Sequence, residues 1–277
     1  MRLPLTWWLL AMACGWPGRA GAQLQLLPDK APQCVFAGEA RTISLLWSNE
    51  GGQSVDAKIR LRLYQEGSAT AVLSEGTSWK QLQVLPKQTV LESAQLDLPG
   101  VRGETKFLVQ WLDGADRVIG KTEVLAYPTN LLGELRPLLG EGRFGVLDPN
   151  DALKPSLRRN GVEFLDLGET DLLDFRGRLA ILGPFQSRAQ MREGLPQAVQ
   201  RIAAKGAAVV WLLPTPGPKE EIKPSFYLVP EGKGAVAVVQ PDLVAGLAEN
   251  PRSQLNLLSF CRLALNPAPF SLPNLTP

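Results

Sequence analysis

From about Gln33 to Tyr127 apolar and polar residues alternate along the chain. In RTISLLWSN, Ile43, Leu45 and Trp47 share one side. In KIRLRLY, Ile59, Leu61 and Leu63 point one way and Lys58, Arg60, Arg62 and Tyr64 the other, and TKFLVQW repeats this with Phe107, Val109 and Trp111. A period of two is the mark of strands with one buried and one wet face. The turn-forming stretches SNEGG, QEGSA, SEGTS, LPGVRGE and DGAD separate the runs. The pattern predicts about seven strands, near 33–36, 41–48, 55–64, 70–74, 79–85, 88–97 and 105–125, the last a hairpin through DGAD. With no helical stretch between them, residues 27–127 read as two antiparallel sheets packed face to face.

The pattern changes after Tyr127. Pro128 and Thr129 read as a hinge and Leu131 to Leu139 as a short connecting helix, so residues 128–142 form a linker. From 143 to 265 strands and helices alternate. RFGVLD, VEFLDL, RLAILGP, AAVVWLLP and GAVAVVQ read as strands, and NDALKPSLRRNG and LPQAVQRIAAKG as helices closed by Gly161 and Gly206. Asn150 or Asp151 is placed to cap the first of these helices. PDLVAGLAEN and PRSQLNLLSFCRLAL read as two further helices, and residues 266–277 as a Pro-rich tail. The strand AAVVWLLP is apolar without alternation, as expected of a strand covered on both faces. Alternating strands and helices predict a three-layer α/β domain with a mostly parallel sheet.

The first 22 residues stand apart. Arg2, the apolar run Leu3 to Ala13 and the ending Ala20-Gly21-Ala22 have the form of a secretory signal peptide, with cleavage expected before Gln23. The run is shorter than the roughly 20 residues a bilayer span requires. LLAMACG offers a second reading, a lipoprotein anchored through Cys14, with Ala11 where such signals usually carry Leu. The expected location is therefore periplasmic or secreted, with membrane attachment only if Cys14 is lipidated. Loss of Arg2 and Arg19 lowers Lys plus Arg from 29 to 27, against 27 acidic residues. The basic character of the full sequence then disappears, and no nucleic-acid partner is expected.

Beyond the leader, Cys34 and Cys261 read as two separate small apolar residues, because a disulfide needs Cα atoms within about 7 Å and these lie near opposite ends of the chain. The chain has no histidine. That excludes Ser-His-Asp and Cys-His nucleophiles and histidine-based zinc sites. No Gly-x-Gly-x-x-Gly or Walker-type loop follows GVLD, so neither a nucleotide nor any other cofactor is expected.

The order GVLDP, helix, GVEFLDL, LAILGP, then VQRIAAKGAAVVWLLP resembles the class I glutamine amidotransferase-like fold, over Arg143 to Leu213. It is similar to degenerate versions in exported bacterial proteins that carry a β-sandwich alongside. The resemblance implies an amidotransferase-like or flavodoxin-like α/β domain after an immunoglobulin-like or fibronectin-like sandwich. Active members place a cysteine on a tight turn after the strand that here reads AAVVWLL. Pro214, Thr215 and Pro216 occupy that place, so the resemblance implies the fold and argues against the activity.

Candidate sites follow from two rules. Open α/β sheets hold ligands outside the carboxyl ends of their strands. Those positions carry Asp148 and Asn150, Asp166 and Glu169, Gln186, Ser187 and Arg188, and Thr215, with cap and turn duties as the plainer reading. In SWKQLQVL, strand parity puts Trp79, Gln81 and Gln83 together on the outer face, an indole beside two amides that could stack on a sugar. The segment PTPGPKEEIKPSF reads as a surface loop or a lid. Together these predict an exported, non-catalytic scaffold or binding protein, tied to carbohydrate processing or an envelope complex and partnered by other exported proteins or glycans. The alternative is a glycosidase-like hydrolase working through a carboxylate pair, which needs no histidine.

Overall fold

A computed structural model describes residues 24–67, 71–214 and 226–267. The leader, residues 215–225 and most of the Pro-rich tail lie outside the described residues. The described residues build three sheets, with strands and helices alternating in the C-terminal part.

Eight strands precede Pro128: β1 (Leu24–Leu26), β2 (Gln33–Phe36), β3 (Ala40–Asn49), β4 (Val55–Glu66), β5 (Ala71–Val84), β6 (Thr89–Asp97), β7 (Thr105–Leu112) and β8 (Val118–Tyr127). They form a three-stranded sheet, β1-β3-β6, and a five-stranded sheet, β2-β8-β7-β4-β5. The second is mixed, because β2 runs parallel to β8. Ile43, Leu45, Trp47, Ala94 and Leu96 from the first sheet meet Ile59, Leu61, Phe107, Val109 and Trp111 from the second in one buried core. Trp111 donates from Nε1 to Thr122 Oγ1 at 3.0 Å, so its one polar atom is satisfied inside.

Two details depart from the sequence reading. β1 was not expected. SEGTS is not a turn between two strands but lies inside the single strand β5, whose pairing with β4 slips at three places. Gly76, at φ 74°, provides the backbone freedom for this irregular stretch.

After Tyr127 a 3-10 turn (Leu131–Glu134) leads into α1 (Leu135–Leu139), where one continuous helix was expected. Then follow β9 (Phe144–Leu147), α2 (Lys154–Arg159), β10 (Leu165–Asp166), β11 (Leu179–Leu182), α3 (Leu195–Ala204), β12 (Ala208–Leu212), β13 (Phe226–Glu231), β14 (Gly234–Val239) and α4 (Pro251–Leu265). The sheet order is β10-β9-β11-β12-β14-β13. Its first five members are parallel and β13 is an antiparallel edge. PDLVAGLAEN forms only a 3-10 turn (Pro241–Val244) rather than a helix; Gly246, at φ 67°, turns the backbone away from helical geometry.

Alternate residues of the parallel strands enter two cores. Val146, Leu179, Ile181, Val210 and Val239 pack under α1, α2 and α4. Leu147, Ala180, Leu182, Val209 and Val236 pack under α3. The sheet is thus the middle of three layers. The core on the α4 side also takes in Phe36 and Tyr127 from the sandwich, so the two parts share buried surface. Arg252 reaches across this junction to Pro32 O at 3.4 Å and Cys34 Sγ at 3.5 Å.

Cys34 and Cys261 are both free thiols. Cys261 is fully buried on α4, and burial pushes its thiol up to about 12, against a smaller opposing pull from Arg262. Iodoacetamide at pH 8 is expected to label Cys34 alone in the native chain from Gln23 onward, and both thiols in denaturant. Mass spectrometry reads the difference, and native labelling of Cys261 would contradict the buried position.

Candidate functional site

Counted in chain order, the parallel strands of the sheet lie 2-1-3-4-5. The connections change direction between β9 and β11, the place where doubly wound sheets leave a crevice. A cavity of about 190 Å³ opens there, lined by Leu147, Asp148, Pro149, Asp151, Lys154, Gly168, Phe185, Gln190 and Arg192.

Asp148 is the first polar residue after β9, and only 1% of it is exposed. Its Oδ2 accepts from the N–H of Leu153 at 2.7 Å and of Lys154 at 3.0 Å. Asp148, not the expected Asn150 or Asp151, therefore satisfies the first amides of α2. Its Oδ1 is buried and has no hydrogen-bond partner. Asp151 has φ 51°, a left-handed geometry that Asp tolerates, and its side chain is exposed.

Lys154 starts α2 with its side chain 9% exposed. Its Nζ lies 2.6 Å from Asp166 Oδ2 and 3.5 Å from Asp151 Oδ1. Burial alone would lower the Lys154 ammonium. The hydrogen bond to Asp166 and the charges of Asp166 and Asp151 outweigh it and raise the group above its ordinary value. Burial would likewise raise Asp166, but the Lys154 ammonium, the Gly168 N–H and the more distant Arg158 charge hold it below the usual carboxylate range.

The sign of the pH dependence follows. The depressed Asp166 stabilises the fold above its unfolded value, near 3.8, and that contribution is lost as pH falls through its folded value. The raised Lys154 stabilises below its unfolded value, near 10.5, and loses that contribution as pH rises through its folded value. Asp166→Asn is expected to cost about 2 kcal/mol at pH 7 and to flatten the acid limb below pH 4. Urea unfolding across pH reads both; an unchanged acid limb would contradict the pairing.

The wall opposite is made by the loop after β11. Asn150 and Gln190 exchange two bonds, Asn150 Nδ2 to Gln190 Oε1 at 3.1 Å and Gln190 Nε2 to Asn150 Oδ1 at 2.8 Å. Asn150 also donates to Pro184 O at 3.0 Å, and Gln190 Oε1 accepts from Gln186 N at 2.7 Å. Arg192 donates to Gly168 O at 2.6 Å and is otherwise exposed at the mouth.

The six sequence candidates thus separate into groups. Asp148 lines the cavity, and Asn150 stands behind it holding Gln190. Arg188 does not join them: it sits exposed in the 3-10 turn Arg188–Gln190, and Arg192 takes the place expected of it. Trp79 is also placed differently. It is the residue left over where β5 slips against β4, between Ser78 opposite Arg60 and Lys80 opposite Ile59. A bulge reverses the inward-outward alternation. The Trp79 ring is therefore half-buried, its centroid 5.1 Å from that of Trp111 and 6.2 Å from that of Trp47. Gln81 and Gln83 stay exposed without it, and Gln81 donates to Asp56 at 2.8 Å. Glu169, Gln186 and Ser187 are exposed loop residues, and Thr215 lies outside the described residues. Lys154, Gln190 and Arg192 were not singled out from sequence. Lys154 had one usable signal, a lysine six residues after a strand-ending Asp at the start of a helix.

A larger cavity, about 680 Å³, lies at the opposite, amino end of β9 and β10, between Gly140–Phe144 and Gly161–Leu165. Its charged lining residues, Arg136, Glu141, Arg143 and Glu163, are all exposed. The smaller cavity has the buried charges and the position at the reversal point, and is the better candidate.

No family model and no curated protein matches the chain. Among solved structures, the alkylpurine DNA glycosylase AlkC of Pseudomonas fluorescens bound to abasic-site DNA aligns at 12% identity and TM-score 0.29, over 39% of this chain and 31% of its own. A β-glucosidase of Listeria innocua in complex with laminaribiose aligns at 14% and 0.30, over 39% and 16%. A PapD-like domain of human CEP192 aligns at 10% and 0.27, over 46% and 97%. The chain spans less than a third of the length of the first two. Likeness at this level bears on neither the fold nor the activity of this chain.

Proposed function

We propose that this chain is an exported, non-catalytic binding protein, with an immunoglobulin-like sandwich joined to an amidotransferase-like α/β unit that has no working nucleophile. The strand order supports the first part. One sheet holds β1, β3 and β6, and the other holds β4, β7 and β8 flanked by β2 and β5, the arrangement of strands A, B and E against C, F and G in immunoglobulin-type sandwiches. The leader-like first 22 residues support export.

The observation that carries the non-catalytic reading is the composition of the crevice at the reversal point. Among the described residues, none that lines it is Ser, Thr, Cys or Tyr. Asp151 in its lining and Asp166 beside it share one ammonium, that of Lys154. A glycosidase pair needs one carboxyl kept protonated to act as acid, and Lys154 pushes Asp166 the other way. Internal ion pairs and an amide pair surround a cavity of only about 190 Å³ at this sheet end. What remains suits holding a small polar group, with the sandwich available for partners in the cell envelope.

The test sets turnover against binding. The purified chain is expected to release no aryl alcohol from aryl glycosides and no ammonia from glutamine above buffer rates. A thermal-shift screen of small polar compounds is expected to give stabilising ligands whose effect Asp148→Asn removes. Turnover that vanishes in Asp151→Asn or Asp166→Asn would replace this reading with the hydrolase.

A further inference from the structure

We propose that the open edge of β6 pairs with the same strand of a second copy, antiparallel about a two-fold axis at Ser93, so that the β1-β3-β6 sheets of two molecules join into one. This stands apart from the crevice and does not depend on the binding reading above. An edge strand offers a row of unpaired N–H and C=O groups, and proteins blunt it with short strands, proline, bulges or charge. β1, β2 and β10 are short, with three, four and two residues. β13 carries Pro230. β5 slips against β4 at three places. Among the described residues, β6 is the one edge with none of the first three devices. It has nine residues and no proline, and it pairs with β3 along its whole length without a shift. Its one mid-strand charge, Glu92, shares the parity of the buried Ala94 and Leu96 and is held by Lys80 of β5 at 2.7 Å. That carboxylate is turned inward and already neutralised.

The direction of the free backbone groups follows from the hydrogen bonds. Asn49 N–H donates to Gln88 O at 3.0 Å, one step beyond the Ser48–Thr89 pair. Bonded and non-bonded pairs alternate along an antiparallel ladder, so the even residues of β6 bond β3. The far side of β3 agrees: Leu27 N–H donates to Leu46 O at 2.8 Å, which commits the even residues of β3 to β1 and leaves the odd ones for β6. Thr89, Leu91, Ser93, Gln95 and Asp97 therefore turn their N–H and C=O groups to the open side, and all five are exposed.

The sequence of the strand argues for a second copy as its occupant, because it is complementary to itself. Pairing centred on Ser93 sets Ser93 against Ser93, Leu91 against Gln95 and Thr89 against Asp97, so each outward N–H meets a carbonyl. Glu92 falls opposite Ala94, and no like charges meet. A shift to a centre at Glu92 would set two carboxylates against each other at the closer, non-bonded spacing. The Ser93 register also keeps the outer faces of both sheets on one side. There Leu91, 71% exposed, lies beside Leu46 of β3, 40% exposed, and the outward side chains of β6 carry no charge before Asp97. Joining the sheets carries this neutral face across the axis.

Sedimentation equilibrium of the chain from Gln23 onward tests the pairing. A monomer–dimer equilibrium is expected, with Kd of about 100 μM or tighter. Ser93→Lys sets two ammonium groups opposite each other on the axis. At an exposed position it is expected to keep the unfolding midpoint and to weaken the dimer at least tenfold. Residues opposite each other in a bonded pair have Cα atoms about 5.5 Å apart, within disulfide reach. Under oxidised glutathione Ser93→Cys is expected to give a dimer linked through position 93, identified by mass spectrometry. Leu91→Cys, about 13 Å from its own counterpart, is expected to give none. A chain that stays monomeric at about 1 mM, a dimer that Ser93→Lys leaves unchanged, or linkage through Leu91→Cys in place of Ser93→Cys would overturn the proposal. Binding of an unrelated extended peptide to β6 of a chain that stays monomeric would give the edge to a foreign strand and discard the second copy.

Discussion

Replacing Trp111 with alanine is expected to cost about 4 kcal/mol of folding stability, a large part of the roughly 5–15 kcal/mol a domain has. The indole is fully buried between the two sheets of the sandwich. Its centroid lies 6.0 Å from that of Trp47, edge to face, and 5.1 Å from that of Trp79. Its removal opens a cavity that two rigid sheets cannot close, and it strips Thr122, itself buried, of its recorded partner. Trp79→Ala is expected to cost less, about 2 kcal/mol, because that ring is already half in solvent. Denaturant unfolding of both variants gives the ranking. A Trp79 variant less stable than the Trp111 variant would show that the cluster is anchored from the β5 side.

The second large effect is expected at Asp148. Asp148→Ala leaves the amides of Leu153 and Lys154 without an acceptor in a buried site, and loses about 3 kcal/mol. Asp148→Asn, which can still accept from both, is expected to lose less than 1 kcal/mol. The helix signal of α2 in circular dichroism and the urea midpoint measure this together. Equal losses in the two variants would mean that the missing charge, and not the missing acceptor, matters at the start of α2.

The difference between Asp148 and its neighbours shows where sequence reading reaches its limit. The alternation in β3, β4 and β7 was legible because each side chain's face follows from its own position. The parallel strands were legible as apolar runs, though β10 shrank to two residues. β13 was not. FYLVPE follows a Pro-rich stretch and contains Pro230, which only an edge strand can accept. β5 was read as two strands because Gly76 within SEGTS looked like a turn, when it marks a slip in pairing. That same irregularity undid the parity argument for Trp79. At the site, Asp148 and Asn150 were visible because they follow a strand directly. Gln190 and Arg192 come from a loop some 40 residues later, and only the parallel pairing of β9 with β11 brings them near. Arg188 was four residues away from Arg192, the arginine that lines the cavity.

Phe36 and Tyr127 sit in the same buried core as Leu132, Leu257 and Cys261. The sandwich and the α/β unit are therefore not beads on a string. Cutting the chain within 128–142 would leave apolar surface uncovered on both fragments, and neither part could be exchanged or inherited alone without repair of that seam. A load applied to the sandwich would pass into α4 through packed side chains, with Arg252 stitched to Pro32 at the edge. The two architectures answer to mechanical and evolutionary pressure as one body.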